Sequence, residues 1–157
     1  FLIKNNLFFK KGILHEDEQW TPRVFIKAQR VKYINYHFYY YIIREESITK
    51  KKDRSQNGID LIRTCHELEK IYEKLDDLEL KKLLNNYLVM LYLHAINYGN
   101  LYDRKYKKIY NKRFLLGKAR TIKNIFKVLL FIVNKNLYKY INKCKYEFKL
   151  KYLKGVN

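Results

Sequence analysis

Apolar positions along the chain change their spacing twice, and the changes divide it into regions. In Phe1 to Lys11 apolar side chains stand at 1, 2, 3, 7, 8 and 9 around Asn5 and Asn6, which predicts a short helix running into a turn at Gly12. Thr21-Pro22 reads as a helix start, with threonine as cap and proline at the first helical position. Val24, Phe25 and Ala28 give that helix, expected from Pro22 to about Arg30, its apolar face. Val31 to Ile34 then alternates as a half-buried strand does, and Phe38 to Ile43 is a β-branched and aromatic run bounded by polar residues. Together they predict a hairpin or two strands of one sheet.

Lys50 to Gly58 carries no apolar side chain and marks a boundary between regions. Beyond it the period becomes helical. Ile59, Ile62, Cys65, Leu68, Ile71, Tyr72 and Leu75 form one stripe. Leu80, Leu83, Leu84, Tyr87, Leu88, Leu91 and His94/Ala95 form another, with Asp76-Asp77 between. This predicts an antiparallel helical hairpin ending near Gly99, followed by a basic helix from Tyr102 to Leu116. From Gly117 onward lysines interleave with apolar and tyrosine residues around the run Val128 to Val133. That run is far shorter than the ~20 residues that span a bilayer. A basic amphipathic helix lying on an anionic membrane surface fits residues 117–157 better.

Composition sharpens this division. With 48% hydrophobic and 17% aromatic residues in 157, the chain is too apolar to remain disordered. Its net charge of +19 is uneven: +4 over residues 1–100, but +15 over 101–157, where 17 basic residues face 2 acidic ones. Such an excess points to a polyanionic partner, although part of it is the solvated face of a lysine-rich sequence. Cys65 and Cys144 lie far apart without zinc spacing, and no secretory signal is legible, which points to a reducing, cytoplasmic setting. Cys65-His66 is not a metal pair, because adjacent helical residues diverge, and His37, His66 and His94 read as structural or exposed.

In a chain otherwise short of acid, His15-Glu16-Asp17-Glu18 stands directly before Gln19-Trp20. Such a cluster is either a solvated loop favoured by the following helix dipole, or a site of proton transfer in which a carboxylate deprotonates an attacking hydroxyl.

Read in order, Leu14-His15-Glu16-Asp17-Glu18-Gln19-Trp20-Thr21-Pro22, Ala28, Val31, Tyr33-Ile34, Phe38 to Tyr41, Arg44 and Ser47-Ile48-Thr49 resemble the end of the catalytic domain of glycosyltransferase family 2. The likeness is to the bacterial members that build capsular, exopolysaccharide or lipopolysaccharide sugars, and it covers roughly residues 1–50. It implies an α/β remnant, the end of a GT-A nucleotide-diphospho-sugar transferase domain, over 1–50, then a helical hairpin plus basic helix over 51–116 and the membrane-surface tail over 117–157. The chain as it stands is therefore expected to be mostly helical.

By resemblance, Asp17 is the base that takes the acceptor hydroxyl's proton in an inverting displacement, with Glu16 supporting it and His15 and Trp20 contacting the acceptor. Arg44 and Ser47 match the family's Arg-x-x-Ser, suited to closing over the donor diphosphate. The expected partners are a nucleotide-sugar donor, a glycan or lipid-linked acceptor, and the inner face of the cell membrane. The family's first half supplies a nucleotide-binding sheet and an Asp-x-Asp that holds Mg or Mn. Neither pattern is in this sequence, so the resemblance implies a C-terminal portion, inactive alone, that itself binds no metal. A non-enzymatic basic helical module, binding nucleic acid or anionic membranes, is the competing reading. Nucleic acid is disfavoured because lysine greatly outnumbers arginine in the tail and no recognition motif is present.

Overall fold

The computed structural model describes residues 1–40, 42 and 52–154, with side chains through Phe148. The described residues are mostly helical, in the order α1 (Glu16–Lys27), α2 (Ser55–Tyr72), α3 (Leu78–Tyr98), a 3-10 helix (Arg104–Ile109), α4 (Lys112–Lys118), α5 (Ile122–Val133) and α6 (Lys135–Lys154).

Helices α2 and α3 form the predicted hairpin and the centre of the core. Leu61, Ile62, Cys65, Leu68 and Tyr72 of α2 are buried with Leu88, Val89, Leu91, Tyr92, Ala95 and Ile96 of α3. The start of α2 meets the end of α3 at Gly58 and Gly99. A Cβ on Gly58 would stand 2.6 Å from the Ala95 carbonyl and 2.9 Å from Gly99 Cα, so only hydrogen fits. Asp77 starts α3 by accepting the Leu80 amide at 2.9 Å. The first turn of the expected α3 stripe is not core, however: Leu80 and Leu83 are exposed, and burial begins at Asn85 and Leu88, where α2 lies alongside.

Four local expectations are corrected. Residues 1–7 form hydrogen-bonded turns, Asn5 to Phe1 and Leu7 to Leu2, and not a helix; Leu7 alone of this segment is buried. Helix α1 begins at Glu16, six residues before Pro22, and ends at Lys27. Proline inside it forfeits only the bond to the Glu18 carbonyl. Three acids in the first turn and the tertiary anchoring of the preceding loop outweigh that loss. The basic helix expected over Tyr102–Leu116 is divided into the 3-10 helix and α4. The break is held by Tyr92, whose hydroxyl donates to the Ile109 carbonyl at 2.8 Å and accepts the Asn111 amide at 3.0 Å. Finally, residues 31–40 and 42 form no strand. Every side chain from 31 to 40 is exposed, and Tyr36 N–H turns back to the Ile34 carbonyl at 3.0 Å. No strand is present among the described residues to complete a ladder. The rest of the second expected strand lies outside the described residues.

The basic C-terminal region is not peripheral to the fold. Val128 and Phe131 of α5 and Tyr138 of α6 are buried in the same core as the hairpin. Asn86 of α3 fixes the entry to α5: its side-chain oxygen accepts the amides of Arg120 and Thr121 at 3.0 and 3.2 Å, and its carbonyl accepts from the buried Asn124 side chain at 3.2 Å. Lys118 ties α4 to α2 through Glu69 at 2.9 Å and Glu73 at 3.5 Å. No helix among the described residues is long and apolar enough to cross a membrane.

Candidate functional site

The acidic cluster occupies the first turn of α1, and the loop that delivers it is pinned to α2. His15, at the N-cap position, has left-handed backbone angles (φ 59°, ψ 48°) and no capping hydrogen bond, so the main chain is held from outside the helix. Buried Asp60 does so by accepting the Leu14 amide at 3.2 Å, while also accepting from Gln56 at 2.8 Å and Arg63 at 3.2 Å. One residue on, the Asn57 amide donates to His15 Nε2 at 3.1 Å, and the imidazole packs edge-on to Tyr98. Downstream, buried Gln19 donates to Glu67 at 3.5 Å and accepts from Arg23 at 3.0 Å. The first turn of α1 is thus helical, with the residues on either side of it tied to α2.

The three carboxylates face different surroundings. Glu16 and Asp17 are exposed and have no hydrogen-bond or ion-pair partner among the described residues. Asp17 lies at the edge of an open groove of about 460 Å³, whose other walls are Glu18, Thr21, Pro22 and Phe25 of α1, Tyr72 of α2, and Leu84 and Tyr87 of α3. Glu16 does not line it. Glu18 is the acid with a tertiary bond: the Tyr87 hydroxyl donates to Glu18 Oε2 at 3.0 Å. Burial, and then the charge of Glu18, push the Tyr87 hydroxyl up to about 12, so the phenol stays protonated and keeps donating.

Beside this pair the fully buried Tyr72 lines the same groove, and its hydroxyl has no hydrogen-bond partner among the described residues. Burial is also the main cause that raises the Tyr72 hydroxyl above its ordinary range. A groove with one unpaired carboxylate and one locked phenol beside the apolar faces of Phe25 and Leu84 suits a polyhydroxylated ligand, while the buried Tyr72 hydroxyl lies below its floor, out of a ligand's reach. Hydroxyls meet donors and acceptors there, and C–H faces meet rings.

Of the residues singled out from sequence, Asp17 reaches this groove. His15 sits on the other side of the helix start, against Asn57 and Tyr98. Trp20 is engaged with the N-terminal segment: its indole N–H donates to the Leu7 carbonyl at 3.1 Å and its ring stacks on Phe9 at 4.6 Å. Arg44 and Ser47 lie outside the described residues. Tyr72, Tyr87 and the tertiary role of Glu18 were not legible. Both tyrosines sit in apolar helical stripes that read as core, and nothing in the sequence places α1 over that end of the hairpin.

The divalent metal implied by the family resemblance finds no fit here. Among the described residues no three histidine, cysteine or carboxylate groups converge, and Asp17 stands with Glu18 already bonded to Tyr87.

Over 75 residues the chain is 25% identical to YibD of Escherichia coli (strain K12), an uncharacterized glycosyltransferase; the alignment covers 48% of this chain and 22% of that protein. No family model and no solved structure matches.

Proposed function

We propose that this chain is the acceptor-side, C-terminal portion of an inverting glycosyltransferase of family 2, which moves a sugar from a nucleotide-diphospho-sugar to a hydroxyl of a glycan or lipid-linked acceptor in bacterial surface polysaccharide synthesis. The observation that carries this reading is the alignment with the Escherichia coli glycosyltransferase. The groove at the start of α1 supports it, since one of the cluster's carboxylates stands unpaired at the rim of a cavity large enough for a sugar ring.

In the proposed reaction the acceptor hydroxyl approaches Asp17, loses its proton to that carboxylate as it attacks the anomeric carbon, and displaces the nucleotide diphosphate from the opposite face. The acceptor ring rests on Phe25 and Leu84, with the Tyr87–Glu18 pair beside it. Glu16 adds negative charge beside the base, and Arg44 and Ser47 close over the diphosphate. Nucleotide and metal binding belong to the family's other half.

The same proposal places the protein on the inner face of the cell membrane. Ile122, Ile125, Phe126, Leu129 and Val133 form an exposed apolar stripe on α5, opposite the buried Val128 and Phe131. Lys123 and Lys127 flank this stripe, and burial, Lys123 and Lys145 hold the Lys127 ammonium below its ordinary pKa. Apolar residues edged by lysines suit an anionic bilayer surface.

Asp17→Asn in the complete protein tests the base. With a panel of nucleotide-sugars, transfer is expected to fall about 10²–10⁴-fold while donor binding persists. Undiminished transfer sinks the assignment.

A further inference from the structure

The groove beside α1 carries a charge opposite to that of the chain around it. Asp17, Glu18, Thr21, Pro22 and Phe25 follow the i, i+1, i+4, i+5, i+8 spacing of one face of α1, and Leu84 and Tyr87 make an i, i+3 step on α3. Two carboxylates therefore share one rim, and no lysine or arginine stands among the described residues that line the groove. The whole chain holds 34 lysines and arginines against 15 acids, so a wall with two acids and no cation runs against its composition.

The neighbouring cations are turned elsewhere. Helix α1 has two, Arg23 and Lys27. Arg23 donates to the Gln19 side chain at 3.0 Å and to the carbonyls of Asn6 and Phe8 at 3.2 and 3.3 Å, on the side of the N-terminal segment. Lys27 lines a separate cleft with Phe1 and Lys4. At the start of α3, Lys81 donates to the Glu73 carbonyl at 3.0 Å and Lys82 pairs with Glu79 at 2.7 Å. Further along α3, His94 feels the charges of Glu18 and His15. Burial outweighs the pull of Glu18 and holds the His94 imidazole below the ordinary histidine range, so it is neutral at pH 7 and supplies no countercharge.

Neither carboxylate is neutralised within the fold. Asp17 has no hydrogen-bond or ion-pair partner among the described residues. Glu18 accepts one bond, from the Tyr87 hydroxyl at 3.0 Å, where a carboxylate has room for about four. Its other oxygen has no partner among the described residues. Both charges reach the Tyr87 hydroxyl, which burial, Glu18 and, more weakly, Asp17 push up to about 12.

We propose that the groove selects an acceptor sugar carrying a free, protonated amino group, with Glu18 as the specificity-determining residue. This selection rests on the acceptor-site reading of the groove and adds the acceptor's charge to it. The ammonium meets the open oxygen of Glu18, a neighbouring hydroxyl meets Asp17, and the C–H face of the ring lies on Phe25 and Leu84. A uronic acid or a phosphorylated sugar would bring further negative charge to a wall with no cation to receive it, and that repulsion rejects it. A neutral hexose would leave both carboxylates without a countercharge.

Amide NMR titration of the full chain with methyl glucosaminide, methyl glucoside and methyl glucuronide, in mildly acidic buffer that keeps the amine protonated, tests this. Shifts at the amides of Asp17, Thr21 and Tyr87 are expected to report methyl glucosaminide binding about tenfold or more tighter than methyl glucoside, with no binding of methyl glucuronide. Glu18→Gln keeps an acceptor for Tyr87 and should bring that preference close to unity. Glu147→Gln removes an exposed carboxylate on α6 and should leave it intact. The ranking on the unaltered chain decides even where Glu18→Gln disturbs the fold. Methyl glucoside or methyl glucuronide binding at least as tightly as methyl glucosaminide, or a preference that survives Glu18→Gln, overturns the proposal and leaves the groove as a sugar site. No shift at these amides with any of the three sugars overturns it together with the acceptor-site reading.

Discussion

The buried carboxylate of Asp60 accepts the main-chain amide of Leu14 at 3.2 Å, and this bond joins the hairpin core to the loop that starts α1. It ties the folded core to the main chain two residues ahead of the acidic cluster. Asp60→Ala removes the acceptor for Leu14, Gln56 and Arg63 together. A loss of about 1–3 kcal/mol in urea unfolding is expected. Faster hydrogen exchange at the Leu14 amide should accompany it; if that amide stays as protected as before, Asp60 does not anchor the loop.

Glycine substitutions should change stability in opposite directions at two sites. Gly117 lies inside α4, and a Cβ there meets nothing within 4 Å, so Gly117→Ala should stabilise by up to about 1 kcal/mol through helix propensity. Gly58 is also helical, yet its added Cβ would collide with the Ala95 carbonyl and Gly99 Cα, which belong to rigid backbone. Gly58→Ala should therefore cost about 1–3 kcal/mol despite the better propensity. Thermal unfolding of both variants checks the contrast.

Partly desolvated phenols weaken the fold at high pH. Tyr87 and Tyr92 are pushed up to about 12, chiefly by burial, with Glu18 adding to the shift of Tyr87. An unfolded chain releases these protons near pH 10, so the folded state holds more protons between about 10 and 12. Their stabilisation is complete below pH 10 and is lost as the pH rises towards 12. Tyr87→Phe should flatten this limb of a stability–pH curve. Tyr72→Phe, which deletes a hydroxyl lacking a partner, should be neutral or slightly stabilising at pH 7.

Membrane association is best tested without truncation, because deleting residues 117–157 would remove Val128, Phe131 and Tyr138 from the core. Ile122 and Phe126 are 88% and 65% exposed, so Ile122→Ser/Phe126→Ser leaves the core intact. Binding to anionic vesicles should fall in this variant and weaken as salt rises. Equal binding to neutral vesicles would remove the electrostatic part of the proposal.

Helical periodicity determined the α2–α3 hairpin, its boundaries near Gly58 and Gly99, and most of its buried face, because a stripe at 3.6-residue spacing has one economical way to leave water. The acidic cluster and the negative preference of a helix start were legible for the same local reason. What lay beyond reach was non-local. The predicted strands needed partners, and the described residues provide none. Helix α1 starts ahead of Pro22 with its N-terminal loop held by Asp60, a contact across 46 residues. Tertiary packing also divided the three acids: Glu18 bonds Tyr87, 69 residues away, Asp17 is left unpaired over the groove, and Glu16 stands outside it. A charge pattern along the chain says which groups favour a helix end, but only the packing of α1 across α2 and α3 decides which carboxylate is satisfied and which remains open to a ligand.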